Sequence, residues 1–311
     1  MTTTMPETMT ETMTETEAMT ETGTDTGIRI SHLTPFIGAE MTGVTYEDLQ
    51  DSVLWNRVTT LLHERELVVI RCLDITPEQQ IELASRIGRP KPFLMTKYRH
   101  PEHEEIMISS NAKKNDQAIG VARVGNFWHQ DSSYQQTPPP YTMLHGIDVP
   151  GTSGHTLYAN AADVYDRLPE EWKAKIEGRT AVHTVSKRQR ISADHAGLSI
   201  AEFKALVEEQ YPPVRHPLVK TDPTTGRRYV YGAPEYMERV VGFDANENEE
   251  FFALLDRLIQ DPERVYEHHW SPRDLVVWKC ELTYHAATAV EPGVDRTVHR
   301  VSIDAREPWA A

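Results

Sequence analysis

The sequence predicts a mainly β protein with helical decoration (α+β), a sandwich or jelly-roll barrel with helices packed outside it. Three observations predict this. Short β-branched runs recur along the chain, at Leu67-Val68-Val69-Ile70, Leu275-Val276-Val277-Trp278 and Thr297 through Ile303. Turn residues punctuate them, as in Asp222-Pro223-Thr224-Thr225-Gly226. Helical periodicity is confined to a few segments, and no repeat of 20–50 residues is visible.

Residues 1–27 stand apart, with twelve Thr, five Met, six acidic residues and no Lys, Arg or aromatic side chain. Such a segment cannot bury enough apolar area to offset its ordering entropy, so it reads as a disordered acidic tail. Met1, Met5, Met9 and Met13 recur every four residues, which leaves an induced amphipathic helix as the alternative. The folded body is expected over 28–311. After the buried-strand candidate Leu67–Ile70, Thr76-Pro77-Glu78-Gln79 reads as an N-cap, a first-turn proline and a capping-box partner. The helix they start carries Ile81, Leu83, Ala84 and Ile87 and stops at Gly88. A second helical stretch runs from about Ala161 to Ile176, and Pro169 should divide it into two short helices. The turn at 222–226 joins two strand-like runs.

Bulk properties narrow the function. A chain of 311 residues can bury a substantial core. Its net charge of −15 argues against a nucleic-acid partner, because phosphate binding needs concentrated Lys and Arg. Two distant cysteines, Cys72 and Cys280, give no disulfide framework and agree with a reducing cytoplasm. There is no apolar run of 18 residues for a membrane span and no secretory-signal pattern.

His129-Gln130-Asp131 is the centre of the chemical reading. On a strand, residues i and i+2 share a face, so one imidazole and one carboxylate would project together. A third ligand from a distant strand would complete two histidines and a carboxylate with coordination positions left open, the arrangement suited to non-haem Fe(II) oxygen chemistry. A structural zinc site would close its shell instead. The same spacing at His100/Glu102 and His103/Glu105 sits in a charged, proline-interrupted stretch and reads as surface. His285 follows the strand at 275–278, with Arg296 and Arg300 eleven and fifteen residues beyond it. The two arginines share strand parity, and guanidinium groups in one cavity suit a dicarboxylic co-substrate. The alternative is that both pair with the protein's own carboxylates. His145, His155, His183 and His216 read as core or hydrogen-bonded histidines, and the tryptophans other than Trp128 as packing.

Together these residues resemble the taurine dioxygenase and 2,4-dichlorophenoxyacetate dioxygenase (TauD/TfdA) family. The likeness rests on four motifs in order: Phe127-Trp128-His129-Gln130-Asp131, Thr137-Pro138-Pro139, Gly154-His155-Thr156-Leu157-Tyr158, and His285 with its two arginines. It runs from Pro35-Phe36-Ile37-Gly38-Ala39-Glu40 to Arg306. The resemblance implies a double-stranded β-helix, a form of jelly roll. It implies Fe(II) held by His129, Asp131 and His285, with 2-oxoglutarate and O2 as co-substrates. By the same likeness Arg296 and Thr156 hold the far carboxylate of 2-oxoglutarate. Arg300 binds an anionic substrate group, and Tyr98 and Ser132 face the substrate. The stretch from Phe93 to Tyr98 would be a lid. A homo-oligomer, dimer or tetramer, is implied on the same basis.

Departures bear on the substrate. Met95 stands where taurine dioxygenase has a sulfonate-contacting histidine, and Gly125 where it has an asparagine. Both point away from taurine. Trp278-Lys279-Cys280-Glu281 replaces the Trp-Asp-Asn-Arg of many relatives. The block from Ile108 to Trp128 is similar to relatives in natural-product pathways, one branch of which forms isonitriles. That branch has paired tyrosines after Gly-Arg-Pro, whereas Gly88-Arg89-Pro90 is followed here by Phe93 and Leu94. The expected reaction is hydroxylation of a small anionic substrate with release of succinate and CO2. Desaturation, cyclisation or isonitrile-type oxidation is one alternative; a zinc or manganese jelly-roll hydrolase or isomerase is another.

Overall fold

Alternation along the strands sorts the chain into layers. In the computed structural model, which describes residues 21–22, 27–93, 95–115, 117–122, 125–187 and 197–305, Leu67 and Val69 face one side of a sheet and Val68 and Ile70 the other. The same parity puts Leu144, Val276, Trp278 and Val298 with the first pair, and Met143, Leu275, Val277, Val301 and Ile303 with the second.

That sheet has nine strands. Its centre runs in the order Ala39–Thr42, Leu67–Ile70, Leu275–Lys279, Tyr141–Asp148, Thr297–Asp304. Arg89–Lys91 and Ile106–Ser110 both pair with Thr297–Asp304. The pairing of Ala39–Thr42 with Leu67–Ile70 is parallel; the other neighbours are antiparallel. The helices Ser52–Arg65 and Pro77–Ile87 cover the outer face with Trp55, Val58, Leu61, Leu62, Leu83 and Ala84.

Opposite the inner face lies a three-stranded sheet, with Thr156–Asn160 between Tyr266–His268 and Thr283–Ala287. Its Tyr158 and the neighbouring Trp270 join Leu144, Trp278 and Val298 in one buried cluster, which closes the space between the sheets. Ala159 and Tyr284 point the other way, onto the helices Ala161–Asp166, Glu170–Ile176 and Ala245–Ile259. A further small sheet (Val214–Pro217, Thr180–His183, Met237–Val240) extends this outer layer. Two facing sheets with helices outside are the jelly roll that the sequence predicts.

Most local expectations hold. Thr76 caps Pro77–Ile87 in a full capping box with Gln79. Pro169 separates Ala161–Asp166 from Glu170–Ile176. The turn at 222–226 joins the antiparallel pair Val219–Thr221 and Arg228–Val230. Cys72 and Cys280 are free. Among the described residues no helix is long and apolar enough to cross a membrane. Within the segment read as a tail, Glu21–Thr22 pairs with Arg29–His32. The reading of residues 1–20 and 23–26 as disordered lies outside the described residues.

Candidate active site

His129 and Asp131 do not sit on a regular strand, contrary to the sequence expectation. His129 makes a single antiparallel bridge to His285: its N–H donates to the His285 carbonyl at 3.0 Å, and the His285 N–H returns the bond at 2.9 Å. The chain then turns, with Ser132 in the left-handed region at φ 55°. That bridge brings the two halves of the predicted ligand set together across 156 residues of sequence. Gln130, fully buried, anchors the segment. Its amide NH2 donates to the carbonyl of Glu281, and its oxygen accepts from the Gly232 N–H at 2.6 Å.

The ligand atoms converge. Nε2 of His129 and of His285 lie 3.8 and 3.7 Å from Oδ1 of Asp131, and the rings are 4.2 Å apart at 45°. Nδ1 of His129 is 2.8 Å from the Phe127 carbonyl, which fixes the proton there and leaves the Nε2 lone pair free to ligate. Oδ2 of Asp131 accepts from Thr142 Oγ1 at 2.8 Å, and Oδ1 is ion-paired with the Arg300 guanidinium at 2.8 Å. Burial pulls His129 below its ordinary range and, with the neighbouring imidazole of His129, pulls His285 down to about 3. Burial would raise Asp131, but the Arg300 guanidinium and then the two imidazoles outweigh it, so the carboxyl is held well below its usual range. Two neutral imidazoles and one carboxylate fit a divalent metal bound on one face.

His129 and His285 open onto a cavity that both arginines also line, together with Thr156, Trp278 and the apolar Met107, Leu144 and Val298. Arg296, immediately before the strand Thr297–Asp304, is partly buried. Its Nε donates to the Gly154 carbonyl at 2.8 Å, and among the described residues no carboxylate lies within 4.0 Å of it. Burial lowers its pKa to about 10, which leaves it cationic at neutral pH. Gly154 permits this approach, since a Cβ there would meet Cδ of Arg296 at 2.7 Å. Thr156 Oγ1 accepts from the Trp270 indole N–H at 3.0 Å, and the Trp270 ring lies 5.6 Å from the Arg296 guanidinium carbon.

Some expectations need correction. Trp270 and Trp278 pack in the core as expected and also border the site: one donates to Thr156, the other lines the cavity 5.0 Å from the His285 ring. Trp128 instead packs against the outer core. The ion-pair alternative holds for Arg300, which pairs with Asp131, and not for Arg296. Met95, Tyr98 and Ser132 do not line the cavity. Met95 is exposed, Tyr98 ends a short 3-10 turn, and Ser132 follows Asp131 on the turn. Leu94, in the expected lid, lies outside the described residues. Phe127 and Tyr236, ring centroids 5.0 and 6.0 Å from that of His129, were not singled out as site residues. Gly125 lines the cavity at φ 68°, and a Cβ there would meet Cε1 of His129 at 2.9 Å.

A jelly roll with two histidines and a carboxylate converging at a cavity is the arrangement suited to a non-haem metal oxygenase. The chain belongs to the taurine catabolism dioxygenase TauD, TfdA family, whose model matches residues 29–302. It is 26% identical to pentalenolactone F synthase of Streptomyces avermitilis, over 88% of this chain and 94% of that one. It is also 26% identical to the alpha-ketoglutarate-dependent 2,4-dichlorophenoxyacetate dioxygenase of Cupriavidus pinatubonensis, over 87% and 95%. A taurine dioxygenase structure from Burkholderia xenovorans superposes with a TM-score of 0.71 at 24% identity, covering 89% of each chain. The structure of AAD-2 with Mn(II) and N-oxalylglycine superposes at 0.69 and 21% identity, covering 91% of this chain and all of that one.

Proposed function

We propose that the chain uses Fe(II), 2-oxoglutarate and O2 to oxidise a C–H bond of a small anionic substrate other than taurine, with hydroxylation as the outcome. The catalytic body is residues 28–311. The observation that carries this reading is the pairing of one converged His-Asp-His set with one partly buried cation on the same cavity, Arg296, that has no carboxylate partner among the described residues. A hydrolase or isomerase needs the first feature and has no use for the second.

His129, Asp131 and His285 would hold the metal. Iron(II) bound there supplies the coupling of 2-oxoglutarate decarboxylation, to succinate and CO2, with oxidation of the substrate by O2. Arg296 binds the far carboxylate of 2-oxoglutarate with charge-assisted hydrogen bonds. Thr156 adds a hydroxyl donor, because its oxygen already accepts from Trp270 and its proton is free to face the co-substrate. Arg300, on the same cavity, supplies the cation for the substrate's anionic group. Met107, Leu144, Val298 and Trp278 exclude water from the reacting centre, which strengthens every charge interaction there.

The test is a panel of anions: aryloxy acids, natural-product carboxylic acids, amino acids and sulfonates. Oxygen uptake and succinate release are read against the uncoupled rate. Coupled turnover with a carboxylate supports the reading. Stimulation by taurine above all others, or product formation without oxygen, overturns it.

A further inference from the structure

We propose that His155, Glu267 and His269 form a second metal site, for a divalent cation of the zinc type, on the outer face of the three-stranded sheet. The strand register creates it. Thr156 lies opposite His268 and Leu157 opposite Glu267, so continuing the pairing sets His155 beside His269. Inward parity belongs to Thr156, His268 and Trp270; His155, Glu267 and His269 therefore share the opposite face.

Their geometry matches that of the first site. The His155 and His269 ring centroids are 3.9 Å apart at 50°, against 4.2 Å and 45° for His129 and His285. In both sets one donor atom from each residue lies within 4.8 Å of the others. Nδ1 of His155 is 2.7 Å from Oε1 of Glu267, and Nε2 of His269 is 3.8 Å from Oε2. His155 is more than nine-tenths buried, and its Nε2 has no hydrogen-bond partner among the described residues. The ring therefore has one side-chain bond, to Glu267, and a metal–nitrogen bond would displace only that. Glu267 and His269 are exposed, which leaves a path from solvent and room for water as the fourth ligand. Two imidazoles and one carboxylate suit zinc-type cations; calcium and magnesium prefer all-oxygen shells. A cation here ties together the two strand segments whose inner face carries Thr156 and Trp270.

The experiment is titration of the metal-stripped full chain with Zn2+, read by calorimetry and native mass spectrometry. Wild type, His269→Ala and Glu267→Gln are compared. Both substitutions are at exposed positions, and circular dichroism checks the fold. Wild type should bind two equivalents. Each variant should lose one, its affinity falling more than about 100-fold, since loss of a mere outer-shell partner already costs roughly 10–100-fold. Mg2+ should not replace Zn2+ as the second equivalent. Zn2+ binding by both variants with the stoichiometry and affinity of the wild type overturns the proposal. Failure of the dioxygenase reading would leave the loss in these two variants intact.

Discussion

The guanidinium of Arg300 lies 2.8 Å from Oδ1 of Asp131, the same oxygen that lies within 4 Å of Nε2 of both His129 and His285. A buried carboxylate needs a counter-charge, and in the metal-free protein Arg300 is that charge. A metal ion held by His129, Asp131 and His285 would take over that role, and the guanidinium would then be available to a substrate anion.

Arg300→Ala should therefore destabilise the metal-free protein by about 3–5 kcal/mol, the usual cost of leaving one partner of a buried pair alone. Mn(II) should stabilise this variant more than it stabilises the wild type. Thermal melts with and without the ion check this; equal stabilisation in both proteins contradicts it.

Arg296→Ala should raise the KM for 2-oxoglutarate by roughly 10–100-fold, since a hydrogen bond to a charged group contributes about 1.5–3 kcal/mol. Substrate KM should change little. A larger effect on substrate than on 2-oxoglutarate would mean that the roles of Arg296 and Arg300 are exchanged.

Trp270→Phe keeps an aromatic, though smaller, side chain and removes the N–H that holds Thr156. The loss of one neutral hydrogen bond, about 0.5–1.5 kcal/mol, predicts a rise of up to about tenfold in 2-oxoglutarate KM. Steady-state kinetics read it, with kcat and substrate KM as internal controls.

Acid should destabilise the metal-free fold. Burial, with neighbouring imidazoles, pulls His285 and His183 down to about 3 and His299 to about 4. Below pH 6.5 the unfolded chain takes up protons that these native rings refuse, so stability falls as pH drops toward 4. Glu66 opposes this: burial raises it to about 7, so the native state keeps a proton that the unfolded chain gives up above pH 4.5, and stability is lost as pH rises through that window. Three rings outweigh one carboxyl, and the melting temperature should drop from about pH 7 to about pH 5. Glu66→Gln removes the opposing group and should steepen the drop; an unchanged slope would contradict the assignment.

How much of this was legible follows the range of the interactions. Local signals read well: the Thr76/Gln79 capping box, the Pro169 break, and the strands 67–70, 275–279 and 297–304. The helices Ile200–Gln210 and Ala245–Ile259 begin with the same kind of capping box, Ser199/Glu202 and Asp244/Glu247, a local signal that the sequence carries for both. The candidate metal ligands and Arg296 were legible through the resemblance that the ordered motifs carry; strand parity did not supply them, since His129 sits on a single bridge and Asp131 on a turn. Gln130 and Trp270 were not: their partners lie 100 or more residues away, and only the folded sheets bring them close. The loop residues Met95, Tyr98 and Ser132 obey no period, so their placement could not be checked from pattern at all.

The most direct test of the central claim measures substrate-dependent succinate release with Fe(II), 2-oxoglutarate and O2, in wild type and in His129→Ala, Asp131→Ala and His285→Ala. Wild type should release succinate in step with substrate oxidation, and each variant should lose at least about 1,000-fold, as expected when the metal itself is lost. Near-normal turnover by His285→Ala, the ligand contributed from 156 residues away, would contradict the account.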